Sequence, residues 1–165
     1  MQSTDWVAVL FRWLHIIPAI VLLGGTIFLR FVALPAAAPT GGAKPLLSAL
    51  RAKWAMVSGI CMLLLLVSGL WNFFMYRMEE VRDTGPLYHA LFGVKVLLAL
   101  GVFFIASALT GRSAMFEPLR AKPGRMLKLA AAMGLIVVLI SGVLRNIERG
   151  PAALRSIDAG SIEGP

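Results

Sequence analysis

Acidic side chains are scarce in this sequence, with eight Asp and Glu among 165 residues against sixteen Lys and Arg. None falls inside a long apolar run, so a carboxylate proton relay within a membrane, or a hydrolase built on paired carboxylates, has no groups to work with. The single cysteine, Cys61, sits in the middle of an apolar stretch; a disulfide framework is excluded, and packing is its expected role. A glycine-rich phosphate loop and a nucleophile elbow are also missing, which removes the usual nucleotide-dependent and acyl-transfer chemistries. Histidine is limited to His15 and His89.

What the chain has in abundance is apolar surface. Hydrophobic residues make up 59% of it, well above the roughly 45–50% of soluble domains, and the mean hydropathy is +0.83. Between Asp5 and Arg30 the ionisable members of the run are Arg12 and His15, and the stretch from Trp54 to Tyr76 carries no charge at all. Asp83 and Arg112 bracket a longer run interrupted by His89 and Lys95, while Lys128 and Arg145 bracket a shorter, uncharged one. A bilayer core takes roughly 17–25 helical residues, and the shortest run suffices if Lys128 and Arg145 reach back to the interfaces. The expectation is an all-α integral membrane four-helix bundle of two hairpins, with spans at about 6–30, 54–76, 86–111 and 127–146. The segment "ALPAAAP" (33–39) contains small residues in a cleavage-like order, but the preceding run is too long for a leader and a basic residue follows it, so it reads as a span.

The net charge of +8 is unevenly placed. The segments between the first two spans and between the last two carry Arg30, Lys44, Arg51, Lys53, Arg112, Arg120, Lys122, Arg125 and Lys128, with Glu117 as their one acid. The other side holds Arg77, Arg82, Arg145, Arg149 and Arg155 together with the remaining seven acids. An excess of Lys and Arg marks the cytoplasmic side, which places both termini outside. The positive charge therefore reads as a topology signal and a contact for anionic lipid heads, and nucleic acid is not expected as a partner.

Residues 1–148 read as one four-span domain, followed by a polar tail, 149–165, with few large apolar groups and an expectation of looseness. "TGGAKP" (40–45) and "RDTGP" (82–86) are breaker clusters, with Pro86 suited to the first turn of the third span. A faint repeat relates "SGLWN" at 68–72 to "SGVLRN" at 141–146, and sliding the first span onto the third places His15 on Lys95. Such a relation fits two similar hairpins. Trp6, Trp13, Trp54 and Trp71 fall mostly near span ends and read as interface anchors, while Asn72 and Asn146 are candidates for hydrogen bonds between helices.

Ionisable groups well inside a span cost from about 2.5 kcal/mol upward and usually face the bundle interior with a partner or a function. Four groups qualify: Arg12, His15, His89 and Lys95. His15 is nine residues past Trp6 and Lys95 nine past Pro86; at about 1.5 Å per residue both lie roughly 13–14 Å in from the same face. His89 is shallower, and Arg12 lies between. His89 and Lys95, six apart, point about 120° apart around a helix and can border one wide pocket without meeting at one spot.

Three readings of this cluster stand side by side. Arg12 and His89 can reach outward while His15 and Lys95 hydrogen-bond to each other or to backbone, in a bundle that is structural, an assembly factor or a subunit of a larger complex. The cluster can instead hold haem b, with His15 as an axial ligand, Lys95 as a neutral amine or His89 as the second, and Arg12 and Arg145 near the propionates; Gly24, Gly25, Gly93 and Gly101 would allow close approach of a macrocycle or a helix. Or it can belong to a copper-binding or copper-transport protein, since Met75, Met78 and His89 gather near the outer face, with Met56, Cys61 and Met62 deeper, although methionine also fills gaps in apolar cores.

"LHIIPAIVLLGGTIFLRFV" (14–32) resembles the first span of the superfamily that contains HemJ-type protoporphyrinogen oxidase and the copper-resistance D membrane domain. "LYHALFGVKVLLAL" (87–100) is similar to the third span of the HemJ type. The resemblance extends over most of the four-span region in length and hairpin order, and only these two motifs carry it specifically. It implies a multi-pass protein of the bacterial cytoplasmic membrane in which His15 and Lys95 are linked to haem binding. Leu22, Leu23 and "FLR" (28–30) depart from the HemJ type, so what is implied is a relative with a different substrate. The expected function is one-electron transfer or oxidoreduction by bound haem b, with a quinone, a porphyrin or a redox partner protein as the exchange partner, in a bilayer, as a subunit of a complex or a homo-oligomer.

Overall fold

The computed structural model describes residues 5–39, 41–76, 86–111 and 113–162, with backbone alone at 43, 44, 47, 76, 86, 87 and 146–162. The readings that rest on Thr40, Arg77, Met78, 82–85 and Arg112, and on the side chains of Asn146, Arg149 and Arg155, lie outside what it describes.

Every described element is helical. α1 runs Trp6–Phe28 and starts where Asp5 Oδ1 accepts the Val7 and Ala8 amides at 3.1 and 3.2 Å, satisfying two of the donors that a helix N-terminus leaves open. It passes without a break into a π-turn, Leu29–Ala33, and a short α2, Leu34–Ala37. The cause is Pro35: it has no N–H, and its ring crowds the carbonyl four residues earlier. Widening the preceding turn, so that the Leu34 amide bonds to the Leu29 carbonyl, lets the chain continue.

The Gly41 amide donates to Ala38 and the Gly42 amide to Ala37, at 3.1 and 2.9 Å, with Gly41 at φ +67°. These are the two bonds of a Schellman stop, and the left-handed residue that they require is a glycine. α3 then covers Ala43–Tyr76. α4 covers Pro86–Thr110, with its proline at the first helical position as the sequence suggests. A 3₁₀ turn (Ala114–Phe116), α5 (Glu117–Ala121) and α6 (Pro123–Ile162) complete the chain. α6 continues beyond the apolar span through the polar tail, where the composition suggests a loose segment.

Four stretches among the described residues are long and apolar enough to cross a membrane: Trp6–Ala37, Ser48–Met75, Tyr88–Thr110 and Pro123–Arg145. The first two begin or end farther toward the basic side than the hydropathy runs suggest, because the Ala-rich segments that flank them stay helical. α1 packs along α3 and α4 along α6, while α1 also meets α6 and α3 meets α4, giving a four-membered ring of helices.

Large apolar side chains cover the outside, among them Ile20, Leu63, Leu97 and Leu139, each more than 60% exposed. A continuous surface of this kind belongs in lipid rather than water. The interior is lean: Leu22, Cys61 and Val102 form its centre, with Met62, Leu65, Phe103 and Met133 against them. Lipid tails are as apolar as leucine, so helices in a bilayer gain by close approach over small residues rather than by burying bulk. The faces that meet accordingly present Ser58, Ser68, Ala108, Ala130 and Ala131, all almost fully buried. Ser58 donates to the Trp54 carbonyl at 2.6 Å and Thr26 to Leu22 at 2.7 Å, so the buried hydroxyls are satisfied within their own helices.

Candidate functional site

His15 lies on the inward face of α1, in register with Phe11, Pro18 and Leu22 at helical spacing, and is half-buried. Its Nδ1 is 3.0 Å from Ser68 Oγ on α3. Ser68 is about 1% exposed, and its hydroxyl donates to the Leu64 carbonyl four residues earlier. A serine has one proton to give. With that proton on the Leu64 carbonyl, Ser68 accepts from the ring when Nδ1 carries the hydrogen. In that tautomer the Nε2 lone pair is available, which is how a protein presents a histidine to a metal or a proton donor. The Leu65 carbonyl also interacts with the ring. On the same edge, a methyl group on Gly69 would come within 3.3 Å of Cε1, so the Ser68–Gly69 pair seats the imidazole.

Lys95, half-buried on α4, is near enough to interact electrostatically with His15. The two hairpins therefore bring these groups into each other's field. His89 is exposed, its ring edge-on to Tyr88 at 6.1 Å between centroids. Arg12 and Arg145 are both exposed on the flanks of their helices.

The half of the bundle around His15 is aromatic. Phe11 stacks on Trp71 at 4.4 Å, Phe73 on Phe92 at 5.2 Å, and Phe92 on the buried Tyr88 at 6.4 Å. Trp71 Nε1 is buried with no hydrogen-bond partner among the described residues, an indole donor that an acceptor could use. Trp71 is half-buried, packed against α1 through Phe11 near the end of its span. Trp54 is also packed inward, against Gly25, while Trp6 and Trp13 are 75% and 61% exposed as anchors would be.

Among the described residues, Cys61, Met62 and Met133 place their sulfurs in the core cluster, and Met56 and Met75 are on the outside. Met62 receives the Ser107 hydroxyl at 3.9 Å. Among the described residues no three of His, Cys, Asp and Glu come together. Of the glycines expected to permit close approach, Gly25 lies under Trp54 and Gly101 under Met133, while Gly24 and Gly93 have open space beside them.

A cavity of about 80 Å³ lies elsewhere, at the basic end, walled by all four spans. Thr26, on its lining, is eleven residues from His15, or about 16 Å along the helix.

Ser68, Gly69 and Trp71 are the site residues that pattern reading passes over. The repeated "SG" marks the first two as a matched feature, yet periodicity cannot show that one copy of it faces the histidine. Comparison of the chain with protein-family models, curated proteins and solved structures finds no match.

Proposed function

We propose that the protein is a haem-b-binding membrane protein that passes single electrons, with its site in the outer half of the bundle. The observation that supports this reading is the seat of His15: an imidazole on an inward helix face, its Nδ1 3.0 Å from the Ser68 hydroxyl, with Lys95 of the other hairpin within electrostatic range. The donor set suits a b-type haem, which takes one or two nitrogen ligands and an apolar surround.

His15 would hold the iron. Lys95 as the free base, or His89, would be the second ligand, and Arg12 and Arg145 are the cations for the propionates. The unpartnered Trp71 N–H adds a donor for a propionate or a quinone carbonyl. Haem bound here would supply one-electron chemistry at its iron. The chain's own part is to orient His15, exclude water with the Phe11, Trp71, Phe73 and Phe92 rings, and set the exchange partner: a quinone, a porphyrin-like substrate or a redox protein. The basic ends face the cytoplasm in this reading, both termini lie outside, and the membrane is the bacterial cytoplasmic one.

The test is an optical spectrum of the purified protein. A Soret band that shifts on dithionite reduction and disappears in His15→Ala is expected; Lys95→Ala and His89→Ala separately identify the second ligand. A colourless preparation with stoichiometric copper would replace the proposal with copper binding or transport. With neither haem nor copper, the bundle is a structural subunit or an assembly factor, and co-purifying proteins become the guide.

A further inference from the structure

The cavity at the basic end combines two surfaces that seldom meet in a monomer's packing. Its lining is largely apolar, with Val102, Ile105, Leu109 and Leu127 among it, and also includes Arg51 and Arg120. Arg120 is held in place: Nη1 donates to the Gly111 carbonyl and Nη2 to that of Ser113, both at 2.7 Å. Two of its five N–H groups are used by those bonds, and three remain. Arg51 is exposed on α3 and lines the same cavity. The hydroxyls of Thr26 and Thr110, which also line it, give their protons to Leu22 and Ala106, so the arginines are the cavity's charged donors.

Nearby, Arg30 Nε is buried with no hydrogen-bond partner among the described residues, one residue past the lining Leu29. The surrounding segments add Lys53, Lys122, Arg125 and Lys128 with Glu117 as the one acid. A free small anion would use the arginines and leave the apolar lining in contact with water. A neutral lipid would use the apolar lining and leave the cations without a counter-charge.

We propose that this cavity is a binding site for an anionic phospholipid, its phosphate between Arg51 and Arg120 and the start of an acyl chain on the apolar lining. Such a pocket between spans at the basic membrane face meets the two requirements of that ligand class, a paired cation for the phosphodiester and a dry path into the bilayer. The inference is independent of the haem reading, since it uses the opposite end of the bundle.

The experiment is native mass spectrometry of the full chain released from detergent, with phosphatidylglycerol, phosphatidylcholine or inorganic phosphate added. One phosphatidylglycerol should be retained at collision energies that strip phosphatidylcholine. Arg51→Gln, which removes no bond within the protein that the structure records, should weaken retention about tenfold, while Arg125→Gln, outside the lining, should leave it unchanged. Equal retention of the two lipids, displacement of phosphatidylglycerol by millimolar inorganic phosphate, or an unaltered Arg51→Gln would overturn the proposal. Arg120→Gln is the weaker variant, because it also unties the turn after α4.

Discussion

Replacing Ser68 with alanine would take away the hydroxyl that sits 3.0 Å from His15 Nδ1. A hydrogen bond of this kind contributes about 1 kcal/mol, which for a one-electron couple corresponds to about 40 mV. Ser68→Ala should therefore keep the Soret band and move the midpoint potential of bound haem by tens of millivolts. A potential that stays put would reduce Ser68 to a packing residue. The neighbouring glycine offers a companion comparison. Gly69→Ala puts a methyl 3.3 Å from the His15 ring, whereas Gly142, its counterpart in the repeat, has nothing within 4 Å. Alanine at 142 should raise the unfolding midpoint, by up to about 1 kcal/mol for a helix interior, and leave the spectrum alone. Alanine at 69 should lose part of that gain and perturb the haem spectrum.

Between elements, α1 comes close to α3 at Gly25, where a Cβ would overlap the Trp54 ring. An indole is rigid, so the helices themselves must part; Gly25→Ala is expected to cost about 1–3 kcal/mol, read as a lower thermal midpoint in detergent. Gly101→Ala meets the end of Met133 instead, a flexible chain that can swing aside, and should cost far less. Equal losses at the two positions would show that the Trp54 contact does not set the α1–α3 distance. Here the limits of pattern reading become physical. Apolar length reveals that four helices exist, because a bilayer demands it. It says nothing of where a helix ends once it leaves the apolar zone, and so the continuation of α1 through Pro35, the early start of α3 at Ala43 and the helical tail of α6 were not legible. The depth match of His15 with Lys95 follows from counting residues along two helices. The seat made by Ser68 and Gly69 depends on how α3 is rotated against α1, which hydropathy does not encode.

At the scale of the whole molecule, the charge asymmetry makes a claim about direction that the bundle's geometry alone leaves open. Nine Lys and Arg lie in the two segments on one side, and moving such segments across a bilayer is disfavoured, so the 3₁₀ turn at Ala114–Phe116 should be cytoplasmic and Asp5 external. The sequence is convenient for testing this, since Cys61 is the one cysteine and is buried at 7% exposure. In a Cys61→Ala background, Met115→Cys, at a position 74% exposed, should react with a membrane-impermeant maleimide only after the cells are permeabilised. Gln2→Cys, three residues ahead of the α1 cap, should react in intact cells. The opposite pattern would invert the molecule: the cavity lined by Arg51 and Arg120 would then face outward, and the site proposed at His15 and Lys95 would lie in the cytoplasmic half.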